Sequence, residues 1–229
     1  MAAMPIEAPI PFDAIPLLAA LRREDRDAVA PLCSVRGYEK GETIFREGEP
    51  ADRIHFVHIG RVKIVKAAGG RDIILEILGP GEPVGAVAVF ERRPFPASAV
   101  TLEPSGLVSI AEREFFALLG SRPEMMRQLL GGLTLRLMMV NKRLADLTGS
   151  AEQRAARTFL TLAERIGVRA AGGVRIPMAL SRQEVADLLG TTLETAIRLM
   201  SRWQKEGTVL TEKDGFLIPD PAALRKSDQ

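Results

Sequence analysis

Between about Tyr38 and Ile110, apolar and polar positions alternate in short runs. Gly41, Gly48, Gly60, Gly69, Gly70, Gly79, Gly81, Gly85, Pro94, Pro96 and Pro104 interrupt them. A period of two, bounded by residues that break regular backbone, predicts strands, and strands at this spacing predict a β-roll or barrel. RIHFVHIGRVKIVK and RDIILEIL are the clearest strands, with AGGR as their hairpin connection. Helical spacing from Ile15 to Leu32 predicts short helices that cap the roll.

A slower rhythm follows. Met126, Leu130, Leu133, Leu137, Val140, Leu144 and Leu147 are spaced 4, 3, 4, 3, 4, 3. This heptad seam predicts a long helix able to pair with a second copy as a two-stranded coiled coil, and Arg122-Pro123 supplies its start. The competing reading is that the stripe packs on the roll of its own chain, with Met138 and Met139 widening the apolar face. A homodimer is the expectation.

The third pattern is SRQEVADLLGTTLETAIRLMSRWQK, residues 181–205. Ser181 with Glu184 has capping-box spacing, so a helix is expected from about Arg182 to Leu189, broken by Gly190. Thr191 or Thr192 caps a second helix that runs to about Glu206. Val185, Leu188, Leu189, Ala196, Leu199 and Trp203 recur at helical spacing as a buried seam, with small Ala186 where the helices cross. Thr192, Glu194, Thr195, Ile197, Arg198, Ser201 and Arg202 are left outward. This is the spacing of a helix-turn-helix that reads DNA in the major groove. Glu194 can accept from cytosine N4, and Arg198, one turn on, can bond guanine O6 and N7. The plain alternative for these two is an i,i+4 ion pair on a solvated helix. Two short apolar runs, Thr208 to Thr211 and Gly215 to Ile218, predict a wing whose turn is marked by Asp214-Gly215 and whose Lys213 meets phosphate.

Composition narrows the class further. A length of 229 residues suits two domains, and a net charge of +2 does not by itself diagnose a nucleic-acid partner. The single cysteine, Cys33, excludes an internal disulfide framework and cannot alone hold an iron–sulfur cluster. A lone thiol of this kind is a poor redox switch. MAAMPIEAPIPF lacks the basic start of a signal peptide, and no apolar run reaches membrane-spanning length, so a cytoplasmic location is expected. P-loop, HExxH and CxxC motifs are missing, and His55 and His58 sit three residues apart on one strand, too close to assemble a catalytic triad. An enzyme is not expected.

The order of these parts resembles the cyclic-AMP receptor protein and fumarate-nitrate regulator (CRP/FNR) family. The resemblance rests on Gly48-Glu49, Gly60-Arg61-Val62, the Gly85 to Phe90 turn with FPASAV, SRQEVADLLG, and Glu194 with Arg198. It implies an α+β chain: a cyclic-nucleotide-binding-like β-roll over 1–120, a dimerisation helix over 121–148 and a winged helix-turn-helix over 149–229. It also implies double-stranded DNA with a near-palindromic operator as partner, with Arg182 and Gln183 steadying the phosphate backbone and Glu194 and Arg198 reading a G·C-containing core. Ile197 replaces the serine of the FNR-like branch and is left to meet a thymine methyl, while Leu193 stands where the CRP-like branch has arginine. RNA polymerase is a further implied partner, with Arg169 to Pro177 as candidate surface or simply an ordinary hairpin.

In the sensor the resemblance breaks down. Cyclic-nucleotide-binding relatives hold ribose with a Glu after the glycine matching Gly85, and cyclic phosphate with an Arg before a Ser or Thr. Here the stretches read Gly85-Ala86-Val87 and Phe95-Pro96-Ala97-Ser98-Ala99, with neither side chain present. A buried phosphate without its guanidinium is costly, so cyclic AMP is not expected to bind in the family's manner. Gly85, Ala86, Ala97, Ser98, Val140 and Asn141 still mark where an effector would lie. Haem is one replacement, since some relatives carry it in this domain, with His55 or His58 as axial ligand; a packed structural histidine is the alternative. A second alternative is a ligand-binding module that regulates a protein partner, which leaves the helix-turn-helix spacing unexplained.

Overall fold

The alternation read from the sequence becomes two antiparallel sheets wrapped around an apolar interior. The computed structural model describes residues 9–68, 71–145 and 150–226, and the chain divides into two units, Met1–Leu137 and Met138–Gln229.

In the first unit, short helices α1 (Pro16–Ala19) and α2 (Arg23–Val29) precede strands β1 (Cys33–Tyr38), β2 (Thr43–Phe45), β3 (Arg53–Ile59), β4 (Val62–Ala68), β5 (Arg71–Leu78) and β6 (Pro83–Val84). Helix α3 (Ala86–Glu91), strands β7 (Ser98–Thr101) and β8 (Ser105–Ala111) and helix α4 (Glu112–Ser121) follow, and α5 (Pro123–Ala145) runs from the first unit into the second. Among the described residues one sheet has the order β1-β8-β3-β6 and the other β2-β7-β4-β5. RIHFVHIGRVKIVK is therefore not one strand: it breaks at Gly60-Arg61, and β3 and β4 belong to different sheets. Ala68 pairs with Arg71 as a hairpin requires, while Gly69 and Gly70 lie outside the described residues.

Strand alternation sorts the side chains into two cores. Tyr38, Val57, Val84 and Leu107 of the first sheet meet Phe45, Val62, Leu78 and Ala99 of the second inside the roll. On the outer face, Val35, Ile54, Phe56, Val108 and Ile110 pack against Ile15, Leu18 and Val29 of the N-terminal segment and Phe115, Leu118 and Met125. The N-terminal helices thus cover the outside of one sheet. An ion pair of 2.6 Å from Arg122 to Asp25 ties the start of α5 to the same layer.

Helix α5 carries the first turns of the heptad stripe. Met125 is buried and Leu129 packs against the outer core, whereas Met126, Leu130 and Leu133 are 38%, 56% and 44% exposed. These three positions face away from the roll. The side chains of Leu137, Val140, Asn141 and Leu144 fall outside the described residues, and Leu147 lies outside them altogether.

The second unit contains α6 (Ala151–Ile166), β9 (Val168–Ala170), β10 (Gly173–Ile176), α7 (Arg182–Leu188), α8 (Leu193–Glu206), β11 (Leu210–Glu212), β12 (Gly215–Ile218) and α9 (Pro221–Lys226). Its described strands form one sheet in the order β11-β12-β10-β9. Phe159 of α6 meets Trp203 and Phe216 edge-on at 5.8 and 5.1 Å, joining α6, α8 and the wing in one aromatic core. Among the described residues no helix is long and apolar enough to cross a membrane.

Candidate nucleic-acid interface

The capping box forms as its spacing requires. Ser181 Oγ accepts from Glu184 N at 3.2 Å, and Ser181 N donates to Glu184 Oε2 at 2.9 Å, which satisfies two donors at the start of α7. The turn passes through Gly190, where Thr191 N returns to Ala186 O. Thr192, not Thr191, caps α8: its Oγ1 accepts from Thr195 N at 3.3 Å. Val185, Ala186, Leu189, Ala196, Leu199 and Trp203 are buried. Leu188 is only half-buried, and Asp187 takes an interior place in its stead, bonded at 2.7 Å by Gln183 Nε2 one turn earlier.

This packing leaves Thr192, Glu194, Arg198, Ser201 and Arg202 exposed along α8, with Thr195 and Ile197 half-buried beside them. Arg182 joins Ile197 and Ser201 in lining a cleft of about 240 Å³ between α7, α8 and the wing, so the start of the first helix and the face of the second meet. Gln183 is exposed next to Arg182. Among the described residues neither Glu194 nor Arg198 has a hydrogen-bond or ion-pair partner. The i,i+4 pair is therefore not formed, and both probes stand free toward solvent. Arg202 differs from them: its Nη2 lies 2.5 Å from Glu152 Oε1 on α6.

Lys213 is exposed in the wing turn, as expected. The turn residues are Lys213 and Asp214, since Glu212 pairs with Gly215. Gly215 is thus a strand residue and not a turn residue. A Cβ there would collide with Ile176 O, so glycine is required by the close approach of β12 to β10. The 169–177 segment is the β9–β10 hairpin.

The residues expected at the effector position of the roll come together around an aromatic plug. Gly85, with φ +79, leads into α3 and is followed by half-buried Ala86; a Cβ on Gly85 would lie 2.6 Å from Phe95. Phe95 stacks on Phe45 at 3.6 Å, and its backbone bonds Gly48 and Glu49 on both sides. Ala97 is buried, and Ser98 Oγ accepts from Glu47 N at 2.9 Å. Lys66 Nζ donates to Pro96 O at 2.8 Å and pairs with Glu47 at 3.2 Å. Arg92 and Arg93 are 77% and 76% exposed and pair with Glu112 and Glu91.

His55 is buried inside the roll with Nδ1 2.7 Å from Ser109 Oγ. Burial, then the charges of Arg53 and Arg36, push its pKa down to about 4, so the imidazole is neutral. His58 points to the opposite face of β3 and is half-buried. Burial pushes the Cys33 thiol up to about 11, so little thiolate forms near neutral pH.

Sequence reasoning missed three contacts: Gln183 to Asp187, Glu152 to Arg202, and the Phe45–Phe95 stack. The first was available from i,i+4 spacing. The other two join residues about 50 apart in the chain, without a local signal.

Residues 35–122 match the cyclic nucleotide-binding domain, and residues 153–227 match the Crp-like helix-turn-helix domain. The chain is 34% identical over 191 residues to a CRP-like cAMP-activated global transcriptional regulator of Mycobacterium tuberculosis, covering 82% of this chain and 85% of the relative. It is 32% identical over 204 residues to the nitrogen fixation regulation protein FixK of Azorhizobium caulinodans, covering 87% and 81%. Its fold matches a transcriptional regulator of the CRP family from Thermus thermophilus with a TM-score of 0.70 at 24% identity, covering 84% and 95%.

Proposed function

The chain belongs to the CRP/FNR family of DNA-binding transcription regulators, and from that premise we propose that it acts as a homodimer that reads a near-palindromic operator under an effector other than cyclic AMP. The observation that carries the reading is the unpaired, exposed state of Glu194 and Arg198 on the outward face of α8. Leaving two opposite charges one turn apart unjoined keeps a hydrogen-bond acceptor for cytosine and a fork for guanine available. Arg182, Gln183, Thr192, Thr195 and Lys213 supply the surrounding phosphate and edge contacts, and Ile197 supplies an apolar one.

Dimerisation is supported by the exposed stripe of Met126, Leu130 and Leu133. Two reading helices about 34 Å apart, one turn of duplex, are what a twofold dimer needs to engage successive major grooves. An effector acts by favouring one dimer geometry over another, since equal affinity for both shifts nothing.

The relative from Mycobacterium tuberculosis is described as cAMP-activated. Three observations argue against the same ligand here: Ala86 in place of a ribose acceptor, Pro96-Ala97 in place of the arginine, and two stacked phenylalanines against Gly85. The exposed β9–β10 hairpin is proposed as the surface offered to RNA polymerase.

A gel-shift titration on a palindromic duplex, repeated across salt concentrations, tests the central reading. Binding that weakens linearly in log–log form and prefers the palindrome over scrambled duplex is expected. Equal binding to both duplexes, or none at low salt, overturns it.

A further inference from the structure

The start of α6 is held by local hydrogen bonds. Ser150 Oγ accepts from Gln153 N at 3.2 Å, and Ser150 N donates to Gln153 Oε1 at 2.7 Å, closing a capping box around Glu152. From this fixed turn, Glu152 Oε1 takes two groups of α8 at once: Arg202 Nη2 at 2.5 Å and Trp203 Nε1 at 3.2 Å. Trp203 is 1% exposed and belongs to the buried seam, whereas Arg202 lies on the exposed face. Adjacent helical residues are about 100° apart around the axis, so a carboxylate that binds both fixes the rotation of α8 about that axis. Arg198 sits one turn before Arg202 on the same stripe, and its direction follows.

We propose that Glu152 is a positioning residue for DNA reading: it withholds Arg202 from the phosphate backbone and sets the azimuth at which Arg198 meets its base pair. Arg202 is thereby a tether and not a contact. Glu152 also lies on the first turn of the helix that follows α5 in the chain, so a displacement delivered to the start of α6 reaches the reading helix through this carboxylate. The inference rests on the DNA-reading proposal.

Glu152→Gln tests it in the full-length protein, because glutamine keeps an acceptor for the indole while releasing the guanidinium. Anisotropy titrations on the palindrome and on scrambled duplex should show the palindrome-to-scrambled affinity ratio fall by about tenfold. In an Arg202→Ala background the same change should have no further effect on that ratio. Arg202→Ala alone should leave the slope of log affinity against log salt unchanged, whereas loss of a phosphate contact lowers it by about 0.9 per protomer. Trp203 is the only tryptophan, so its emission reports the indole contact: unchanged in Glu152→Gln and red-shifted in Glu152→Ala. An unchanged ratio in Glu152→Gln, additive effects in the double variant, or a lowered slope in Arg202→Ala overturns the assignment. If Glu152→Gln fails to fold, Arg202→Gln, which releases the same pair from the other side and leaves the indole contact, replaces it, with the same fall in the ratio expected and an unchanged ratio overturning the assignment. Failure of the parent protein to prefer the palindrome would instead remove the DNA-reading proposal itself.

Discussion

Phe45 and Phe95 stack with ring centroids 3.6 Å apart and planes 9° from parallel, against the bare α-carbon of Gly85. Both rings are nearly fully buried, at 6% and 4% exposure, and they belong to the core inside the roll. On the proposed reading, a cyclic nucleotide entering beside Gly85 meets this pair and neither a ribose acceptor nor a guanidinium. Calorimetric titration with cyclic AMP is therefore expected to show no binding in the range that saturates cAMP-activated relatives. Phe95→Ala should cost about 3–5 kcal/mol in denaturant unfolding, as buried aromatic truncations do. Tight cyclic-AMP binding by the unaltered protein would show that the stack opens readily.

His55 supplies a prediction about pH. Its folded-state pKa of about 4 lies below the ordinary 6.5, so the unfolded chain takes up a proton that the folded chain refuses. The stabilisation is complete above pH 6.5 and is lost as pH falls toward 4, by about 3 kcal/mol in all. Melting curves between about pH 7 and 4.5 should show the loss, and His55→Gln, which keeps a polar partner for Ser109, should flatten that part of it. An equal pH slope in the variant would assign the effect to other groups.

Leu130 and Leu133 are about half exposed on α5 while Met125, on the same helix, is buried in the first unit. Replacing both leucines with lysine should leave the melting temperature of a dilute sample nearly unchanged if their partner is a second copy. Light scattering should then report a monomer, with DNA affinity reduced at least about tenfold by loss of the paired reading helix. A dimeric mass retained in the double variant would place the association elsewhere.

Elements with a short-range physical signature were legible in the sequence. The capping boxes and the heptad spacing depend on residues three or four apart, and α7, α8 and α5 follow them closely. What stayed hidden depends on long-range pairing. The split of β3 from β4 follows from their assignment to opposite sheets, which alternation along one strand cannot encode. Gly215 reads as a turn glycine from its neighbour Asp214, yet the demand comes from Ile176 O on another strand. Arg202 reads as a DNA contact by its position on α8, and only the fold brings Glu152 beside it. The candidate reading surface was thus visible residue by residue, whereas its internal tethers were not.

Arg198 gives the sharpest test of that surface. It is exposed on the outward face of α8, with Glu194 one turn earlier and no ion pair between them. If its fork reads guanine, Arg198→Ala should cost about 1–3 kcal/mol on the preferred duplex and relax selection at one base pair per half-site. Affinity for duplexes already mismatched at that pair should change little, because the interaction is absent there. Measuring the parent and variant against four duplexes that differ only at this pair separates the cases. A loss of equal size on all four, with a salt slope lowered by about one, would make Arg198 a phosphate anchor. The reading role would then pass to Glu194 and Thr195 on the same face, since these are the remaining polar side chains on the first turn of α8.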